Sequence, residues 1–74
     1  DEGIEVREME RVIMKTIEKM PERRVKIFKM HRFEDKKYSE IADILSLSVK
    51  TVEAEMTKAL KSLRKEIELH KSLL

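Results

Sequence analysis

The sequence predicts an all-α fold, a compact domain of four helices, and three observations carry that expectation. One glycine and one proline occur in 74 residues, and turns ordinarily draw on those two residue types. Apolar residues recur at spacings of three and four, the period of an amphipathic helix, rather than alternating as in a strand. Charged residues make up 43% of the chain, which suits helices solvated along one side.

The first helix is expected over about residues 4–19, where Val6, Met9, Ile13, Ile17 and Met20 form one stripe. Pro21 interrupts it and opens a second helix, about 21–33. Proline is favoured at the first helical position because its missing N–H has no partner there, and Glu22 complements the helix dipole. This helix should bury Val25, Ile27, Phe28, Met30 and Phe33. Glu34-Asp35-Lys36-Lys37 has no apolar member and reads as a connection. A short helix over 38–45 turns Ile41, Ala42, Ile44 and Leu45 inward. Ser46-Leu47-Ser48 breaks the pattern, and the Ser48 hydroxyl is suited to accept from the free N–H groups of a following helix. That last helix, about 48–68, carries Val49, Val52, Met56, Ala59 or Leu60, Leu63 and Ile67. Such short connections place 1–74 in a single domain. Because the chain starts at Asp1, it is expected to be a fragment of a longer protein.

Composition excludes several function classes. The chain has no cysteine, so neither a disulfide nor a cysteine-ligated zinc site is available. His31 and His70 lack ligand-like spacing, and no metal or cofactor is expected. The three aromatics, Phe28, Phe33 and Tyr38, are too few for a platform that stacks single-stranded bases. No run of about 18 apolar residues marks a membrane span and no leader is visible, so a cytoplasmic setting is expected. Enzymatic chemistry has little support. His31, Ser39 and Asp43 could be imagined as a triad, but Ser39 and Asp43 lie one turn apart on a solvent-facing side, and four short helices leave little room for a substrate pocket.

Charge is unevenly spread. Residues 21–37 hold seven Lys/Arg against three acids and residues 48–65 hold five against two, on a chain whose net charge is only +2. Two basic stretches on an otherwise acidic chain fit a polyanion, or equally two solvated lysine-rich faces. Five methionines are a high count for this length. Met9 and Met14 could offer an adaptable docking surface, whereas Met9, Met20, Met30 and Met56 filling an irregular core is the favoured reading.

The informative stretch runs from Tyr38 to Met56. A short helix, a three-residue turn and a second helix form a helix-turn-helix, the unit that lays one helix in the DNA major groove. Small Ala42 beside Ile41 permits a steep crossing, Leu47 plugs the turn, and Val49 and Val52 hold the second helix from inside. Subtracting those positions leaves Lys50, Thr51, Glu53, Ala54, Thr57, Lys58 and Lys61 outward. Lysines suit phosphates or guanine acceptors. Thr51 and Thr57 suit phosphates or a thymine methyl, Ala54 the latter, and Glu53 a cytosine amino group. An antiparallel helical pair that never meets DNA is the plainer alternative for such a stretch.

Met20-Pro-Glu-Arg-Arg-Val-Lys-Ile-Phe-Lys-Met-His-Arg-Phe-Glu, Tyr38-Ser-Glu-Ile-Ala-Asp-Ile-Leu, Ser48-Val-Lys-Thr-Val-Glu and Lys58-Ala-Leu-Lys-Ser-Leu-Arg together resemble region 4 of the bacterial sigma-70 family, in particular its extracytoplasmic-function group. The resemblance covers about residues 15–65. It implies a winged-helix-like arrangement without the wing, and recognition of the promoter −35 element in double-stranded DNA. It also implies docking on the β-subunit flap of RNA polymerase and, in many members, an anti-sigma factor as partner. Carried over by position, base reading falls on Glu53, Ala54, Thr57 and Lys58. Phosphate contacts fall on His31, Tyr38, Ser48, Lys50 and Thr51, and Lys61 joins them on the outward face. Three positions depart from the family pattern. Asp35 and Ser46 stand where glycine is usual, at a cost on the order of 1 kcal/mol each if φ is positive. Glu55 stands where a histidine or basic residue is common, and with Glu53 it is expected to make the reading face less positive. Response-regulator helix-turn-helix domains, which bind DNA as dimers through their last helix, share the Val-x-Thr-Val pattern and are the alternative.

Overall fold

The interrupted apolar stripe becomes four α-helices in the computed structural model, which describes residues 2–73, with side chains from 6 to 71. They are α1 (Glu2–Glu18), α2 (Glu22–Arg32), α3 (Tyr38–Leu45) and α4 (Val49–Leu73), and no strand occurs among the described residues. Asp1 and Leu74, the ends of the domain expected from sequence, lie outside the described residues.

Each break has a local cause. Pro21 is not the first residue of α2 but the one before it, extended at φ −55° and ψ 145°, and its carbonyl accepts the Val25 N–H at 3.1 Å. A proline ring tolerates either position because both lack an N–H partner. Past the end of α2, Asp35 adopts φ 57°, which lets the Lys36 N–H turn back to the Met30 carbonyl at 3.0 Å. The Lys37 N–H donates to Glu40 Oε1 at 2.9 Å and so starts α3. Ser46 ends it at φ 56°, with Leu47 N–H donating to the Ala42 carbonyl at 2.8 Å and Ser46 N–H to the Asp43 carbonyl at 3.4 Å. These two bonds make a Schellman motif, which satisfies carbonyls the helix would otherwise leave open. Ser48 then caps α4, its Oγ accepting the Thr51 N–H at 3.1 Å.

α4 is the spine on which α1, α2 and α3 all pack. Val52, Met56, Ala59 and Leu63 supply its buried stripe. Ile17 and Met20 from α1, Ile27, Phe28 and Met30 from α2, and Ile41 and Ala42 from α3 close on it. Four residues expected inside are exposed instead: Val6, Phe33, Ile44 and Val49. Phe33 follows the end of α2 and is 63% exposed, touching only the edge of Phe28 at 6.3 Å between centroids. Ile44 lies about 200° round α3 from Ala42. Val49 is the first residue of α4, and Val6 lies outside the part of α1 that joins the core, which begins at Ile13.

α4 also runs five residues past the end expected at 68, reaching Leu73. No glycine or proline stops it, and His70 and Lys71 in its last turn suit the dipole. Its 25 residues, at about 1.5 Å each, account for most of the 44 Å long axis of the molecule.

Ser46 carries a Cβ in a conformation that disfavours one. Ser46→Gly is therefore expected to stabilise the chain by about 0.5–1 kcal/mol after the extra freedom of the unfolded glycine is counted. Urea unfolding checks this, and an unchanged or lower midpoint would show that Ser46 is unstrained.

Candidate nucleic-acid interface

With Val52, Met56, Ala59 and Leu63 turned to the core, helical geometry fixes what α4 shows outside. Lys50, Ala54, Thr57 and Lys61 follow one another at steps of four, three and four and form one exposed strip. Lys58 flanks the strip on one side and Glu53 on the other, both exposed. Thr51 is half-buried at the helix start, its Oγ1 2.9 Å from Ser48 Oγ. Thr57 donates its hydroxyl to the Glu53 carbonyl at 2.9 Å.

His31 and Tyr38 are brought together away from this strip. Their rings lie 4.8 Å apart at 57°, at the junction of α2 and α3. A carbonyl only accepts, so His31 Nδ1–H donates to the Lys36 carbonyl at 2.9 Å and holds the connection, leaving Nε2 as the free ring nitrogen. Ser39 and Asp43 are exposed on α3, and this bond commits the histidine to Lys36 rather than to either of them.

Both rings line a groove of about 580 Å³, with Ile13, Phe28, Leu60 and Ile67 on its apolar walls and Arg32 and Arg64 on its rim. Sequence reasoning missed those two arginines. Arg64 continues the outward series at 57, 61 and 64, and that spacing could have found it.

Glu55 lies furthest from its expected place. It does not join Glu53 on the outward face but is 5% exposed, on the side of α4 turned to α2. Arg23 Nε donates to its Oε2 at 3.2 Å, while Arg24 Nε and Nη2 both reach Oε1 at 3.3 Å. The reason is again spacing. Glu55 lies three residues after Val52 and four before Ala59, both fully buried, so the inner stripe carries it inward. Burial pushes its carboxyl up, but the hydrogen bonds and charges of Arg23 and Arg24 outweigh that and hold it below the usual glutamate range. The tandem arginines that open α2 were the sequence signal for this partner.

Met20, Met30 and Met56 are buried in the core, Met9 is half-buried and Met14 exposed. Among the described residues no three His, Cys, Asp or Glu cluster as metal ligands would, and no helix is long and apolar enough to cross a membrane.

The family model for sigma-70, region 4, matches residues 10–63, from within α1 through the buried stripe of α4. The chain belongs to the sigma-70 region 4 family. No curated protein and no solved structure matches it. Region 4 is a DNA-binding, helix-turn-helix domain of sigma factors, the transcription-initiation subunits, and is regulatory rather than catalytic. Its partners as a family are promoter DNA and RNA polymerase. In this region 4, the matched segment contains α3, the turn and α4 as far as Leu63, with both arginines of the Glu55 contact.

Glu55 links region 4 stability to pH. A carboxyl held below its unfolded value stabilises the fold above the ordinary glutamate range and loses that contribution as pH falls from there through its lowered folded value. Glu55→Gln is expected to cost about 1–3 kcal/mol near neutral pH. That difference from the native chain should shrink in acid, as read by urea midpoints across a pH series. A gap that stays constant down to acid would show that the pair contributes no proton-linked stability.

Proposed function

We propose that this chain reads a promoter −35 element as the region 4 domain of a sigma factor, presenting the outer face of α4 to the major groove. The observation that supports this most is the exposed strip Lys50–Ala54–Thr57–Lys61 with Lys58 beside it, from which Glu55 has been withdrawn and neutralised. The face is more positive than the sequence suggests, with Glu53 its one carboxylate. A carboxylate there accepts from a cytosine amino group and is repelled by phosphates, so it restrains non-specific binding. Lys50, Ser48 and Thr51 cluster at the start of α4, where side chains and N–H groups suit phosphates. The Tyr38 hydroxyl fits the same role from the α2–α3 junction, with the His31 ring packed beside it.

The groove edged by Arg32 and Arg64 supports the second half of the reading, docking on the β-subunit flap of RNA polymerase. Its apolar walls and basic rim suit an amphipathic segment with acidic flanks. An anti-sigma factor covering both surfaces would silence the domain. The extracytoplasmic-function subgroup, a cytoplasmic setting and a place within a longer sigma factor belong to the same proposal.

Selection of bound sequences from random duplex DNA, with and without the polymerase flap, tests it. A single half-site bound more tightly with the flap is the expected result. A palindrome would favour the response-regulator alternative, a dimer joined through the last helix. On the selected site, Lys58→Ala is expected to cost about 1–3 kcal/mol and to relax preference at one base pair. Lys50→Ala should weaken all sequences alike and lower the salt slope by about 1. A Lys58→Ala chain with unchanged sequence preference would remove that residue from base reading.

A further inference from the structure

The centre of the outward strip is not charged. Ala54 and Thr57 occupy it, between Lys50 and Lys61, and both are exposed. Composition left Thr57 two roles, hydroxyl donor to a phosphate or methyl contact to a base. The structure separates them. The Thr57 hydroxyl is already donated to the Glu53 carbonyl one turn back, at 2.9 Å. Redirecting it to a phosphate would exchange one hydrogen bond for another with little net gain. What Thr57 has left to offer a groove is its methyl, beside that of Ala54. Thr51 differs, since its hydroxyl is shared with Ser48 Oγ at 2.9 Å and lies at the helix start.

We propose that Ala54 and Thr57 form a two-methyl contact that reads the C5-methyl groups of thymines on neighbouring base pairs. The inference rests on the −35 reading above and gives it a ligand chemistry. Side chains three apart on a helix have Cβ atoms about 5–6 Å apart, which spans one to two base-pair steps of about 3.4 Å. In the major groove only thymine, among the four bases, presents a methyl, so an apolar pair at the centre of the strip discriminates for it. Lys50 and Lys61 then fall on either side, Lys50 against phosphates and Lys61 against phosphates or guanine acceptors. The preferred duplex has adjacent T·A pairs at its centre, with the contacts that carry charge outside them.

Uracil substitution isolates the methyl, because it removes that group and leaves every base-pairing hydrogen bond in place. The chain is bound, at low salt, to its selected duplex and to copies in which the central thymines are uracil. Each methyl removed is expected to weaken binding about four-fold, the equivalent of one buried methylene. Thr57→Ser, which keeps the hydroxyl and drops the methyl, should lose its share of the thymine-over-uracil ratio. Thr57→Val, which drops the hydroxyl and keeps the methyl, should retain that ratio. Circular dichroism confirms that these exposed-site variants are folded. Sequence-specific binding that is indifferent to uracil, or a ratio lost in Thr57→Val and kept in Thr57→Ser, would overturn the methyl contact while leaving the −35 reading standing. Absence of sequence-specific binding by the native chain, even with the polymerase flap present, would overturn both.

Discussion

A carboxylate on the inner side of α4 is held between two arginines from the first turn of α2, and this contact works with the apolar stripe beside it to seat the helix that carries the outward strip. Taking Glu55 out of water carries a desolvation penalty, and three guanidinium N–H contacts at 3.2–3.3 Å offset it. The two arginines contribute unequally. Arg24 has a side chain 19% exposed and bonds through two nitrogens, whereas that of Arg23 is 56% exposed and bonds through one. Salt screens the second more than the first. An apolar pair at this place would hold α2 against α4 but would slide more easily. A forked ionic contact adds a directional joint to the apolar stripe that sets the rotation of α4 about its own axis, and that rotation decides which residues face outward.

The same contact resolves an apparent conflict between fold and function. A reading helix with two glutamates near its start would repel phosphates over its first turns. Placing one of the two in the interior, paired, converts a liability for binding into a joint for packing. α4 thus has three distinct sides: an apolar stripe for the core, an ionic joint for α2, and a strip of lysines and methyls left for a partner. Past Leu63 the helix runs on to Leu73, and the basic rim of the groove at Arg64 lies where core and extension meet.

Much of this was legible in the residues. Spacing alone located the four helices and the turn, and Ser48 declared its capping role by its chemistry. The family resemblance, with glycine usual at Asp35 and Ser46, pointed to positive φ there, and both residues do adopt it, at 57° and 56°. What failed were the apolar residues at the ends of elements. Val49, Ile44 and Phe33 look like core by type, but each sits at or near a helix end, which has nothing above it to pack on. Glu55 failed in the opposite direction. Residue type argues that a glutamate faces water, and only its register between Val52 and Ala59 argues otherwise. Register is the stronger constraint, because moving one side chain outward would rotate the whole stripe. The outward positions that sequence did find, from Lys50 to Lys61, were found by subtraction. That works only as far as the buried set is right.

Glu55 and Arg24 act as one unit in seating α4. A double-mutant cycle tests it most directly, with Glu55→Gln, Arg24→Gln and the double variant each measured for unfolding free energy and for binding to the selected duplex. Coupling of about 1–3 kcal/mol in stability, with a matching non-additive loss in duplex affinity, is the result that the account requires. Single-variant effects that simply add, within about 0.5 kcal/mol, would contradict it.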